Sequence, residues 1–230
     1  MSIFKTIARF FGGSGSPAAA PASAAQTARR TPGPPPPRNT PAGKRMMNAQ
    51  GSAFAKAEIP AAADIAVNLS DCAQLRDLPD GIHTGSLSLA RCTGLTRLPA
   101  GMDVAFLDLS GCTALTALPD DLNMRGGRLN LSGCGSLKAL PENLGEVAVL
   151  DLSGCSGIAD LPPGLVVTSW IDVAGSGIQE LPELYDPVGV RWNGVPVSRQ
   201  IAFDPQSITP ADIAKEANPK VRAVMEERAR

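Results

Sequence analysis

Five cysteines, Cys72, Cys92, Cys112, Cys134 and Cys155, carry the widest chemical repertoire in this chain, and they recur at intervals of 20, 20, 22 and 21 residues. A thiolate can act as a nucleophile or a soft metal ligand, and two thiols can close a disulfide. The spacing argues against all three. Residues at one position of a stacked repeat form a line, with rungs about 4.8 Å apart and parallel side-chain vectors. A disulfide needs Cβ atoms roughly 3.5–4.5 Å apart on converging vectors, and zinc needs ligands converging as a tetrahedron. Five is also an odd number, against a fully paired disulfide framework. Cysteine as a small buried residue with a weak donor suits the inside of a turn and a reducing compartment. We therefore expect five free thiols and no metal site.

The single histidine, His83, falls between a Leu-Pro pair and the next apolar alternation, where a solvated loop residue is expected. No cysteine is followed by x-Asp, and neither a P-loop nor a dinucleotide-binding glycine pattern is present. The expectation is a protein that is not an enzyme and uses no cofactor.

The elements that position these residues follow from the same period. Leu107-Asp108-Leu109-Ser110-Gly111-Cys112, followed by Leu115 and Leu118-Pro119, is one unit, and copies begin at Val67, Leu87, Leu129, Leu150 and Ile171, with a weaker one near Val190. Leu-Pro pairs repeat in step at 78–79, 98–99, 118–119, 140–141, 161–162 and 181–182, preceded by Ile59-Pro60. Residues two apart share one face of a strand, so Leu107 and Leu109 point inward and Asp108 outward. Ser-Gly turns the chain, and proline favours an irregular return over a long helix. One unit cannot bury enough to offset its ordering, so neighbours must stack. Short strands are expected at 67–69, 87–89, 107–109, 129–131, 150–152 and 171–173.

The phrase LxLSGCxxLxxLP resembles the leucine-rich repeats of bacterial type III effectors and plant resistance proteins. The resemblance implies an α/β fold class, a leucine-rich-repeat solenoid over residues 59–195. Its form would be a right-handed horseshoe with parallel strands on the concave face and a mostly irregular convex side. Residues 196–230 are expected to form a C-terminal helical cap, with Thr209-Pro210 as one helix start and Asn218-Pro219 as another. The phrase ITPADIAKEANPKVRAVMEER is similar to a terminal segment of bacterial leucine-rich-repeat proteins. Some effectors with similar repeats carry a ubiquitin-ligase domain with a Cys-x-Asp nucleophile, a motif this chain does not contain.

Charge divides the chain. Residues 1–57 hold eight basic groups and no acid, whereas the remainder holds all 22 acids against 13 basic groups. Residues 1–12 place Ile3, Phe4, Ile7, Phe10 and Phe11 on one helical face. Three roles stay open for this segment: peripheral membrane contact, an export or import address, or an incidental terminus. Residues 13–58, rich in Pro, Ala and Ser, are expected to be a linker, with 13–45 unable to bury enough surface to order.

The outward strand positions are where function is expected. One column runs Asn68, Ser88, Asp108, Asn130, Asp151, Asp172 and Arg191; the column before it runs Ser86, Phe106, Arg128, Val149 and Trp170. Aromatic residues and Arg are favoured interface anchors. Phe106, Asp108, Arg128, Asn130, Val149, Asp151, Trp170 and Asp172 are the candidate partner-binding residues on a mildly acidic face. The bland alternative is that Asp and Ser here serve turn chemistry. The acidic column argues against nucleic acid. The expected function is a monomeric, non-enzymatic module binding a protein or peptide. It would reside in the bacterial cytoplasm or be secreted into a host as an effector. A substrate-recognition subunit for a ligase on another chain and a membrane-anchored adaptor through residues 1–12 remain alternatives. Brief trypsin treatment should cut the native protein at Arg29, Arg30 and Arg38 and leave a body starting between residues 46 and 60. Resistance at those three sites would contradict the linker assignment.

Overall fold

Leucine alternation at a fixed period builds the sheet. A computed structural model describes residues 46–52, 59, 62–182 and 188–230, all within one unit spanning Gly43–Arg230. Residues 1–12, read as an amphipathic segment, and most of the expected linker lie outside the described residues. Nine strands form a single sheet in chain order: β1 (Met46–Asn48), β2 (Ala62–Asn68), β3 (His83–Ser88), β4 (Asp103–Asp108), β5 (Arg128–Asn130), β6 (Glu146–Asp151), β7 (Val166–Asp172), β8 (Gly189–Trp192) and β9 (Val195–Val197). Neighbours from β1 to β8 pair in parallel, and β9 returns antiparallel to β8.

The register puts equivalent residues side by side. Val67, Leu87, Leu107, Leu129, Leu150, Ile171 and Val190 form one buried column. The second leucines, Leu69, Leu89, Leu109, Leu131 and Leu152, are fully buried just beyond the strand ends. The expected strands thus sit too late by one residue, and most are too short. β3, β4, β6 and β7 start four or five residues ahead of the apolar pair and seat Thr84, Val104, Val147 and Val167 in the interior. On the return path Leu75, Leu95, Leu115, Leu137 and Ile158 close the core.

Hydrogen bonding between repeats continues past the strands. The N–H groups of Leu89, Leu109 and Leu131 donate to Asp108, Asn130 and Asp151 of the next repeat at 2.7–2.9 Å. Those of Gly111 and Gly133 donate to Ser132 and Ser153, each at 2.7 Å. That path needs left-handed backbone in the turn, which Gly111, Gly133, Gly154 and Gly175 supply with φ of 66–76°. Asp71 and Arg91 take the same conformation at φ 63° and 59°, and their side chains pair with each other.

The sheet begins before the expected boundary at residue 59. β1 pairs Met47 with Val67, and Gly51 (φ 71°) occupies the turn position. Ser52 stands 20 residues before Cys72, at the same repeat position. At the other end, Asn193-Gly194, with φ 50° and 79°, makes the tight turn between β8 and β9. Three helices follow: α1 (Arg199–Phe203), α2 (Pro210–Lys215) and α3 (Pro219–Arg228). Thr209 and Asp212 form a capping box, and Asn218 caps α3, as the sequence implies; α1, capped by Ser198, lies within the expected cap but ahead of both expected helix starts. Buried Trp192 closes the stack, with the Arg228 guanidinium 4.0 Å from its ring centre and donating to Ala202 O at 2.8 Å. Among the described residues no helix is long and apolar enough to cross a membrane.

Gly127, just ahead of β5, shows how tightly neighbours stack. A Cβ there would stand 1.7 Å from the backbone oxygen of Ala105. Gly127→Ala should therefore cost about 3 kcal/mol, the upper end for overpacking, in urea unfolding. An unchanged midpoint would show that the β4–β5 contact relaxes freely.

Candidate functional site

The cysteine column proves to be a line of cross-repeat donors. All five side chains are fully buried. Each thiol donates to a backbone oxygen of the preceding repeat: Cys72 to Ala49 at 3.3 Å, Cys92 to Leu69 at 3.1 Å, Cys112 to Leu89 at 3.1 Å, Cys134 to Leu109 at 3.2 Å and Cys155 to Leu131 at 3.0 Å. The Leu89 oxygen also accepts its own turn's Cys92 N–H at 3.1 Å, so the thiol fills the carbonyl's second lone-pair direction. Sequence reasoning found the line but not the direction of the donors. Burial pushes the thiols of Cys112 and Cys134 up to about 12 and those of Cys92 and Cys155 to about 11. At neutral pH such a shift favours the thiol over the reactive thiolate.

His83 is exposed, with Nδ1 3.4 Å from the Asp103 carboxylate. A bidentate contact from Arg125 holds the Asp103 carboxyl below the usual range. Among the described residues no group of three His, Cys, Asp or Glu side chains could hold a metal ion.

The column after the first leucine is largely claimed by turn chemistry. Oδ1 of Asn68, Asp108, Asn130 and Asp151 each accepts the N–H two residues on, at 3.0 Å. Asp151 also accepts from the Ser153 hydroxyl at 2.7 Å. Asp172 departs furthest from expectation. It is 1% exposed, so it is not available to a partner. Its carboxylate accepts Ala174 N–H at 3.1 Å, Asn193 N–H at 3.1 Å and Gly194 N–H, which ties the β8–β9 turn to the stack. Burial raises its carboxyl above the usual range, and the three N–H donors oppose that rise.

The column before the leucine retains its freedom. Register places Ser86, Phe106, Arg128, Val149, Trp170 and Gly189 side by side across β3 to β8. Phe106 is 52% exposed. It borders an open depression of about 340 Å³ lined also by Ser86, Ser88, Asp108, Arg128, Asn130 and Asp151. Val149 and Trp170 are half-buried. Trp170 is covered by two guanidinium groups, that of Arg128 at 5.3 Å from its ring centre and that of Arg191 at 4.0 Å. The face is therefore not acidic along its length. With Asp172 withdrawn and Arg191 added, two carboxylates, Asp108 and Asp151, face two cations.

Neither a protein-family model nor a curated protein sequence matches the chain.

Two outcomes follow. In native protein at pH 8 the thiols should resist alkylation, with Cys72 at the N-terminal end leading, and all five should react in denaturant; rapid labelling of Cys112 or Cys134 in the folded state would contradict the donor line. Asp172→Ala leaves three backbone N–H groups without their acceptor and should lower stability by about 3 kcal/mol. A melting temperature equal to that of the parent would return Asp172 to the candidate binding residues.

Proposed function

We propose that the stacked units are leucine-rich repeats and that the chain is a non-enzymatic interaction module, binding an extended peptide or protein segment on the concave side of the sheet. One observation carries the reading: Phe106, a large apolar side chain in an aromatic-poor protein, is 52% exposed at the rim of a depression on that face. No turn or stacking requirement places it there. Arg128, Val149 and Trp170 extend the same column with an interface-like composition. Six strands from β3 to β8 span about 24 Å at ~4.8 Å each, which suits a peptide or protein segment better than a small metabolite. The acid-free N-terminal segment supports an exported role, that of a bacterial effector acting in a reducing compartment, where buried free thiols are at home.

The test is a paired capture with the full chain and its Phe106→Ala variant, followed by affinity measurement on any protein the parent retains. The variant should bind that protein more weakly by about 2 kcal/mol, roughly thirtyfold, with an unchanged melting temperature. Equal affinity would move the site off this face.

A further inference from the structure

We propose that the C-terminal half of the open face recognises an anionic side chain of an extended peptide, with Arg128 and Arg191 as donors and Trp170 as the platform that holds them. The proposal rests on the peptide-binding reading above and adds the chemistry of the ligand. Arg128 lies on β5, Trp170 on β7 and Arg191 on β8. Arg128 must therefore reach over Val149 of β6 to bring its guanidinium within 5.3 Å of the indole, while Arg191 stacks at 4.0 Å. Gly189 occupies the position beside Trp170, where a Cβ would stand 3.4 Å from the Trp170 Cβ, so no side chain of that column competes for the space.

Stacking fixes the plane of a guanidinium and leaves its N–H edge free, and that edge matches a carboxylate or phosphate. Neither Arg128 nor Arg191 has a carboxylate at ion-pair distance among the described residues, whereas Arg91 and Arg125 are paired with Asp71 and Asp103. The absence has a structural cause at Arg191. Its register partner is Asp172, whose carboxylate is turned into the β8–β9 backbone. The fold thus withdraws into the β8–β9 turn the acid that would otherwise neutralise Arg191. Asp108 and Asp151 on the same face disfavour a polyanion, so a single anionic group on a peptide fits, and a nucleic-acid backbone does not.

Spacing defines the peptide further. Phe106 and Trp170 are three strands apart in one column, about 14 Å. An extended chain covers that in about four residues at ~3.3 Å each. An apolar residue on Phe106 and an anionic residue four positions on would engage both ends.

The experiment uses the immobilised full chain and three pools of labelled octapeptides. Each pool has Leu at the second position and, at the sixth, Glu, phosphoserine or Lys, with the other positions randomised. The Glu or phosphoserine pool should be retained about tenfold more than the Lys pool, as expected for charge-assisted hydrogen bonds. The stronger of the two identifies the anion as carboxylate or phosphate. Arg128→Gln with Arg191→Gln should abolish the preference, and Arg128→Lys with Arg191→Lys, which keeps charge but not the fork, should retain part of it. Phe106→Ala should weaken every pool alike. Binding of all pools without charge preference, a preference for Lys, or a preference that survives the double Gln change in a protein of unchanged melting temperature would overturn the anion site and leave the peptide-binding face standing. Binding of none of the pools would overturn both.

Discussion

Stacking of one repeat on the next is the constraint on which the rest of the structure depends. A unit of about 20 residues offers a handful of leucines and cannot bury them alone. Its backbone donors find acceptors in the following repeat, and its thiol finds one in the preceding repeat. The arrangement works only if each repeat presents the same group at the same height. That requirement explains the recurrence of Cys at 72, 92, 112, 134 and 155, of left-handed turn residues one position earlier, and of Asn or Asp at most strand ends. It also explains the setting of the cysteines, which look chemically rich: their hydrogens are donated to the preceding repeat and burial disfavours their thiolates.

The same constraint separates residues that hold the fold from residues that are free to do something else. Asp108, Asn130 and Asp151 cap their own turns, and Asp172 anchors the terminal hairpin. Phe106, Arg128, Val149 and Trp170 stand one column away on the same face, and the stacking rule asks nothing of their identity. Their variety of aromatic, cationic and aliphatic types contrasts with the monotony beside them. This column is where a ligand-specific surface can be written onto a repetitive scaffold, and Arg191 joins it because its acid partner is used elsewhere.

Register was legible in the sequence because a period of two within strands and of about 21 between them leaves only one way to bury every leucine. Both outward columns were readable for that reason, and so were the helix starts at Thr209 and Asn218. Strand length was not, since the residues ahead of each leucine pair, such as Thr84 and Val104, are too mixed to announce a buried strand. β1 is masked in the sequence because Met47 and Ala49 replace the leucines and Ser52 the cysteine, although Ser52 keeps the 20-residue spacing to Cys72. The β8–β9 hairpin carries a readable signal, Asn193-Gly194 between alternating valines, but Val190 also fits a weak copy of the repeat. That hairpin also closes over Asp172, which is why a residue at an outward strand position is closed to a partner. The pairing of Arg191 with Trp170 depends on side-chain reach between columns, which no one-dimensional pattern records.

The division between a column that holds the fold and a column that is free is tested most directly by comparing unfolding free energies of single alanine variants on this face. Asp108→Ala and Asp151→Ala should each cost about 1 kcal/mol or more, because a turn N–H loses its acceptor. Phe106→Ala and Arg128→Ala should each stay within about 0.5 kcal/mol of the parent, as exposed positions do. If the Phe106 and Arg128 variants lose as much stability as the Asp variants, that column belongs to the scaffold and the account of a free binding surface is wrong.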